Sequence, residues 1–203
     1  AQEDLRPHSR LQWVKTEQEA DYVIHLRGKG AHQACVRVQK PFLQAQEQCF
    51  STKGSFRDAG HMLADSIYRT IFAKPSVFLK KIVFVSRDDA TQSRQNYALI
   101  YADYDAQQPH TVVQSAEPLM SPSVSPDKKR IAYVSFEKGR AELYLQTLAT
   151  GKRQILSSEP GLNTAPTWSP DGKKLAYVLS LSGRAKIYIY DFATQQRQAL
   201  AND

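Results

Sequence analysis

Long apolar runs are missing from this 203-residue sequence. No stretch of eighteen consecutive apolar residues occurs, which excludes a transmembrane helix from the sequence as printed. The opening residues 1–5 are polar and acidic, so they do not form a secretory signal. We expect either that a leader was removed or that the chain never had one. The apolar and charged fractions, 41% and 23%, are those of a globular protein with one large or two small domains.

Cysteine is also scarce, with only Cys35 and Cys49, which lie 14 positions apart around Lys40-Pro41. Both fall in strand-like runs, so a hairpin would place them on neighbouring strands. Two alternatives stay open: a disulfide worth about 3 kcal/mol in an oxidising compartment, or two buried free thiols. Without a second cysteine pair or clustered histidines, the two thiols predict no zinc site.

The sequence also lacks catalytic and metal-binding constellations. It has no Gly-x-Ser-x-Gly elbow, because Gly54-Ser55-Phe56 is followed by no closing glycine and preceded by no strand. Asp127 and Asp171 each bring one carboxylate to a turn, whereas calcium takes about six to eight oxygen ligands. We therefore predict no serine-hydrolase site, no cofactor and no metal.

The chain carries an excess of positive charge, +7 from 27 basic and 20 acidic residues. Such a balance raises nucleic acid or an anionic membrane as partners. The basic residues are nevertheless spread over turns such as 128–130 and 173–174, without a nucleic-acid-binding motif. We interpret these turns as solvated and expect no nucleic-acid partner.

The strongest positive signal is a repeat with a spacing of 44 residues. Residues 122–134 and 166–178 share Ser-Pro-Asp followed by an aliphatic-Ala-Tyr-Val strand, and Gly-Arg-Ala recurs at 139–141 and 183–185. A period of this length built from short strands predicts β-propeller blades. Residues 82–85 begin a divergent first copy, which gives repeats of about 79–119, 120–161 and 162–203.

The third repeat predicts four strands, at 164–168, 174–180, 186–190 and 196–200. In the turn at 169–172, Pro presets φ and Gly accepts positive φ, while Asp171 caps the amides of the turn. Three blades do not close a propeller, so we expect one uncovered apolar face. This face is expected to contain Leu175, Tyr177, Ile187 and Ile189.

Residues 1–78 predict a different architecture, a partial α/β domain. Strands are expected at 20–26, 34–38 and 42–50. Apolar residues at spacings of three and four predict a helix over 56–72, with Ser55 as its N-cap. The predicted fold class is therefore an α+β N-terminal domain followed by an all-β propeller over 79–203.

Several short segments in a fixed order resemble one family. They are Ala-Asp-Tyr-Val-Ile at 20–24, Ala-Gly-His at 59–61, Ile-Val-Phe-Val at 82–85, Leu-Met-Ser-Pro at 119–122, and the Ser-Pro-Asp turns. Several propeller families share Ser-Pro-Asp-Gly, including the propellers of prolyl peptidases, whereas Leu-Met-Ser-Pro after an Ala-Gly-His helix is more specific. Over about residues 12–203 the chain resembles the TolB family, the periplasmic β-propeller component of the bacterial Tol–Pal system.

The resemblance implies a six-bladed propeller behind an N-terminal α/β domain, of which this chain would lack the opening strand and helix and the later blades. It also implies a binding protein of the periplasm, not an enzyme, that contacts the lipoprotein Pal at the channel mouth, and through Pal the outer membrane. Such proteins support outer-membrane integrity and constriction, and group A colicins use the same face. The N-terminal segment that engages TolA in the family would be missing here.

In a propeller the innermost strand of each blade lines the channel, so the loops that enter it lie at the mouth. We predict that eight residues contact a protein partner there: Met120, Ser121, Pro122, Leu162, Asn163, Thr164, Ala165 and Pro166. The family commonly has histidine where Leu162 stands. Three alternatives remain: blade-entry loops without a partner, a generic envelope scaffold that binds some other protein through the same rim, and the propeller of a prolyl-peptidase-like serine hydrolase whose catalytic domain is absent.

Overall fold

The structure is a computed structural model that describes residues 5, 10–28, 33–40, 43, 45–52, 55–88, 96–181 and 183–200. It divides into two compact units, residues 1–80 and 81–203. The predicted boundary after residue 78 lies two positions from this division. Within the described ranges, no helix combines the length and the apolar character needed to cross a bilayer.

The first unit contains an antiparallel three-stranded sheet, β1 (Val23–Gly28), β2 (Gln33–Gln39) and β3 (Gln48–Ser51), in that order. Each strand overlaps its predicted counterpart, but β3 is shorter than the predicted 42–50, of which residues 42 and 44 lie outside the described residues. Cys35 pairs directly with Cys49 between β2 and β3, and the structure joins the two by a disulfide. The hairpin register is what brings the sulfur atoms together.

Helix α1 (Phe56–Phe72) packs on β2 and β3 and has the bounds that its apolar period predicts. It begins with a capping box: the Asp58 amide donates to the Ser55 hydroxyl (3.3 Å), and the Ser55 amide donates to the Asp58 carboxylate (2.7 Å). Ala59, Leu63 and Ile67 form its buried stripe. Local sequence chemistry alone therefore determines where this helix starts and which face it buries.

The second unit consists of three antiparallel sheets, as expected of propeller blades. Sheet I has three strands, β4 (Lys81–Asp88), β5 (Asn96–Asp103) and β6 (His110–Ser115). Sheet II has four, β7 (Leu119–Val124), β8 (Arg130–Ser135), β9 (Glu142–Thr147) and β10 (Arg153–Ser157). Sheet III has four, β11 (Asn163–Trp168), β12 (Lys174–Leu181), β13 (Arg184–Asp191) and β14 (Gln196–Ala199).

The strand alternation divides each sheet into two apolar faces. Ile131 and Tyr133 of β8 pack with Leu99 of sheet I, whereas Ala132 and Val134 pack with sheet III. Successive residues of a strand point to opposite faces, so each blade contributes to two neighbouring cores. This arrangement confirms the propeller prediction for the second unit.

The prediction of the uncovered face was wrong for two of its four residues. Leu175 and Tyr177 are buried, at 0% and 1% exposure, because they face sheet II. Ile187 pairs with Val178. Both lie on the other face of sheet III, away from sheet II, and Ile187 remains 46% exposed. The repeat pattern identified an apolar strand correctly, but the register decides which alternate residues meet the preceding blade.

Sheets II and III are tied together at the end that carries the Ser-Pro-Asp turns. The Trp168 indole donates to the Ser123 carbonyl (3.0 Å), which joins β11 to β7. The Arg130 guanidinium donates to the Gly172 carbonyl (2.9 Å) and lies 4.6 Å from the Trp168 ring centre and 4.4 Å from that of Phe192. These contacts combine hydrogen bonds with cation–π attraction, so they fix the two blades side by side.

Candidate functional site

The predicted mouth residues lie on two neighbouring strands. Met120, Ser121 and Pro122 belong to β7, and the segment from Asn163 to Pro166 belongs to β11. The two strands lie against each other at the edges of sheets II and III. Leu162 precedes β11, and the strand that was also predicted from residue 164 is confirmed. Residues 120–122 and 163 were expected to be loop residues only, and this was wrong, because the strands continue through each proline by a local irregularity of the ladder.

That irregularity is a β-bulge, and it recurs in both blades. The pairing register shifts between Met120 and Ser123 and again between Thr164 and Thr167. Ser121 and Ala165, which precede the prolines, adopt φ of 48° and 54°. A bulge admits a proline that cannot donate to the ladder, and left-handed backbone at a residue other than glycine costs about 1–3 kcal/mol.

Exposure separates the eight residues into three groups. Met120 and Leu162 are 50% and 52% exposed, and Ala165 is also exposed. Ser121, Pro122 and Thr164 are half-buried, whereas Asn163 and Pro166 are buried. The prediction that Asn163 and Pro166 contact a partner directly is therefore corrected. Their side chains lie inside the blade, where they can support the exposed residues but not touch a partner.

Two ion pairs lie near these strand ends. Glu137, in the turn between β8 and β9, binds the Arg153 guanidinium at 3.0 Å. Glu159, in the turn before β11, binds Arg197. Apolar side chains that stand exposed among paired charges resemble the composition of a protein–protein interface, with an apolar centre and a polar rim.

The repeated tyrosines belong to the packing between blades. Tyr133 and Tyr177 are buried at 0% and 1% exposure, and each has an aromatic partner in its own sheet, Tyr144 and Tyr188. Burial raises the pKa of the Tyr133 and Tyr177 phenols, so both remain protonated at neutral pH. A buried phenol with a raised pKa is suited to packing and not to proton transfer.

The Ser-Pro-Asp turns stabilise themselves. In the first, the Ser125 hydroxyl donates to Asp127 Oδ1 (2.5 Å), and Oδ1 also accepts from the Lys129 amide (3.0 Å). Ser169, Asp171 and Lys173 repeat the same bonds in the second turn, at 2.6 Å and 3.0 Å. Both aspartates therefore cap backbone amides, which is the role that the turn chemistry predicted.

Comparison with known proteins agrees with this geometry. A family model described as the TolB beta propeller domain matches residues 68–203. The chain belongs to the TolB β-propeller family. "Tol-Pal system protein TolB" of Xylella fastidiosa strain M12 is 38% identical over 71% of this chain and 34% of its own length. The protein with the same name from Acinetobacter baylyi is 42% identical over 66% of this chain and 31% of its own length.

A solved structure extends the likeness to three dimensions. The crystal structure of TolB from Acinetobacter baumannii matches with a TM-score of 0.78 and 36% identity, over 90% of this chain and 47% of that chain. Putative TolB from Agrobacterium tumefaciens matches with a TM-score of 0.50 at 14% identity, which shows a shared fold alone. The chain spans about a third of the length of the curated TolB relatives it matches.

Sequence reasoning missed the hydrogen-bonding role of Asn163. A signal was nevertheless present, because position 119, 44 residues earlier, holds a buried leucine where β11 has asparagine. A polar residue at an apolar position of a repeat indicates that this copy does something the repeat itself does not require.

Proposed function

We propose that this chain is a non-enzymatic, periplasmic component of a Tol–Pal system that binds the lipoprotein Pal at the mouth end of β7 and β11. The observation that carries the proposal is the exposure of Met120 in β7 and of Leu162, which directly precedes β11, where the two bulged strands lie side by side. Membership of the TolB family supports the choice of Pal as partner. Outer-membrane integrity, constriction during division and colicin import follow from Pal binding in this proposal, and TolA and colicins are further partners.

The backbone at both exposed residues is hydrogen-bonded: Met120 pairs with Val134 in the sheet II ladder, and the Leu162 carbonyl accepts from the Ser180 amide (3.0 Å). Strand residues whose neighbours are packed on both sides present a side chain at a fixed position, and this reduces the entropy lost when a partner binds. Buried apolar anchors near the centre of an interface carry most of its binding free energy. Met120 and Leu162 are the anchors that we assign to this surface.

The test is a titration of purified, soluble Pal with the 203-residue chain and three single variants. Met120→Arg and Leu162→Arg place a charge where an apolar contact is expected, and each should weaken binding at least about tenfold, since loss of a hot-spot anchor costs about 2 kcal/mol or more. Ile155→Arg is the matched control, because Ile155 is 49% exposed on β10. It should bind Pal within about twofold of the original chain, as surface substitutions away from an interface do.

Failure of the original chain to bind Pal would contradict the proposal. Equal weakening by all three substitutions would also contradict it, because the effect would then arise from surface charge and not from the mouth.

A further inference from the structure

Asn163 is a buried polar side chain at the mouth, with 0% exposure. Burial of an amide is costly unless its hydrogen-bonding groups are satisfied. The blade does not require an amide at this position, because Leu119 fills the equivalent place in β7 at 3% exposure. The amide therefore calls for an explanation specific to the third blade.

The Asn163 amide connects three backbone segments. Its Nδ2 donates to the carbonyls of Glu159 (2.7 Å) and Ala141 (3.0 Å), with that of Gly161 at 3.4 Å. Its Oδ1 accepts from the Ser157 hydroxyl (2.7 Å) and the Glu159 amide (3.2 Å). Both donors and both acceptor sites of the amide are thus in use. The partners are the end of β10, the turn at 158–161 and the residue before β9.

The same turn is held on its other side by close backbone packing. Gly161 has φ of +91°, and a Cβ there would lie 2.6 Å from the Ser180 carbonyl oxygen. The Ser180 amide donates to the Leu162 carbonyl (3.0 Å). The backbone is therefore held in place on both sides of Leu162: Gly161 packs closely against β12, and all hydrogen-bonding groups of the Asn163 amide are satisfied. The exposed side chain of Leu162 projects from the backbone between them.

We propose that Asn163 is a positioning residue for partner binding: its amide holds the 158–162 turn so that Leu162 is presented in its binding orientation. The inference rests on the proposed function, because Leu162 is an anchor only if the mouth binds Pal. Asn163 contacts no partner itself. It acts through the backbone, by removing freedom that binding would otherwise have to remove.

The test is a double-mutant cycle on Pal affinity between Asn163→Leu and Leu162→Ala. Leucine is the residue of the equivalent position 119, so the substitution keeps a buried side chain that the blade accommodates. Alone, Asn163→Leu should weaken Pal binding about three- to tenfold, which corresponds to the ordering of one or two side chains. In the Leu162→Ala background the same substitution should have almost no further effect, because the anchor it orients is gone.

Two controls separate positioning from a general loss of stability. Tyr133→Phe removes another buried hydrogen bond, from the phenol to Gln146 Oε1 (3.1 Å), and should leave Pal affinity unchanged. Hydrogen exchange of the free chain provides a readout without a partner: Asn163→Leu should accelerate exchange of the Glu159 amide, and Tyr133→Phe should not. Ser157→Ala removes one bond to Asn163 and serves if Asn163→Leu fails to fold, with an expected loss of about twofold.

The outcomes distinguish the two proposals. If the original chain binds Pal but Asn163→Leu binds equally well, or weakens binding by the same factor in both backgrounds, the positioning role is overturned and the proposed function stands. Unchanged exchange at the Glu159 amide would also overturn it. If the original chain does not bind Pal, the proposed function itself fails.

Discussion

At the scale of single residues, the two Ser-Pro-Asp turns differ in the residue that follows the aspartate, and the backbone conformation at that position makes the difference matter for stability. Lys128 has φ of 59° and Gly172, 44 positions later, has φ of +69°. Both turns close with the same hydrogen bonds, so the backbone path is shared. The left-handed conformation costs an L-residue about 1–2 kcal/mol and costs glycine very little.

We expect Lys128→Gly to increase the free energy of unfolding by about 1 kcal/mol, because glycine relieves the left-handed strain. Gly172→Lys should lower it by a similar amount. Urea titration of each variant gives the comparison. Lys128→Ala is the control, since it removes the lysine side chain and keeps a Cβ, and it should stabilise the turn less than glycine does.

The aspartate of each turn makes stability depend on pH. The bond from the Ser125 hydroxyl, followed by that from the Lys129 amide, lowers the pKa of Asp127. Because the pKa is lower in the folded state, its contribution is complete above the unfolded value of about 3.9 and is lost as pH falls through the folded value. Asp127→Ala should therefore be less stable than the original chain at pH 7. Chemical denaturation at each pH measures this difference in stability, which should shrink at pH 2–3. An equal difference at pH 7 and at pH 2–3 would contradict this role.

At the scale of elements, the β2–β3 hairpin is the place where covalent chemistry adds to hydrogen bonding. The disulfide joins Cys35, which is buried, to Cys49, which is exposed. Three short strands and one helix make a small core, and such a core gains proportionally more from a cross-link. The exposure of Cys49 also favours access of reductants to the bond.

Reduction should destabilise the first unit by about 3 kcal/mol, the loop-closure value for a separation of this length. The measurement is thermal unfolding with and without dithiothreitol, followed by the fluorescence of Trp13 in a Trp168→Phe background. The Cys35→Ala, Cys49→Ala double variant should behave like the reduced chain and should not respond to the reductant. A transition that is unchanged by reduction would contradict the prediction.

At the scale of the whole second unit, equivalent positions of successive blades have unequal surroundings. Leu143 of β9 is buried at 0% exposure against sheet III, whereas Ile187, 44 positions later in β13, is 46% exposed. The repeat places an aliphatic side chain at both positions. How much that side chain contributes to stability depends on whether a neighbouring blade covers it.

Leu143→Ala should lower the free energy of unfolding by about 2–5 kcal/mol, because it leaves a cavity between two blades. Ile187→Ala should cost about 1 kcal/mol or less, since its side chain is already half in water. Urea titration followed at Trp168 measures both. Equal costs would mean that the outer face of sheet III is covered in solution.

Much of the fold could be predicted from local patterns. The helix bounds follow from apolar period and from Ser55 and Asp58, and the blade strands follow from the 44-residue repeat. The partner-binding mouth stays a prediction. Pattern and family resemblance proposed the segments at 120–122 and 162–166 for it, but did not predict that Asn163 and Pro166 are buried. Burial depends on residues from β9, β10 and β12, which are distant in sequence.

The sequence by itself determined the repeat period, the turn chemistry, the helix cap and the family, because each rests on interactions among residues a few positions apart or on direct comparison of copies. Only the tertiary structure decided which face of β12 is covered, how Cys35 meets Cys49, and that Asn163 bonds to Ala141, 22 positions away. Those features depend on strand register and blade packing. A shift of one residue would exchange the buried and exposed faces without changing the local pattern.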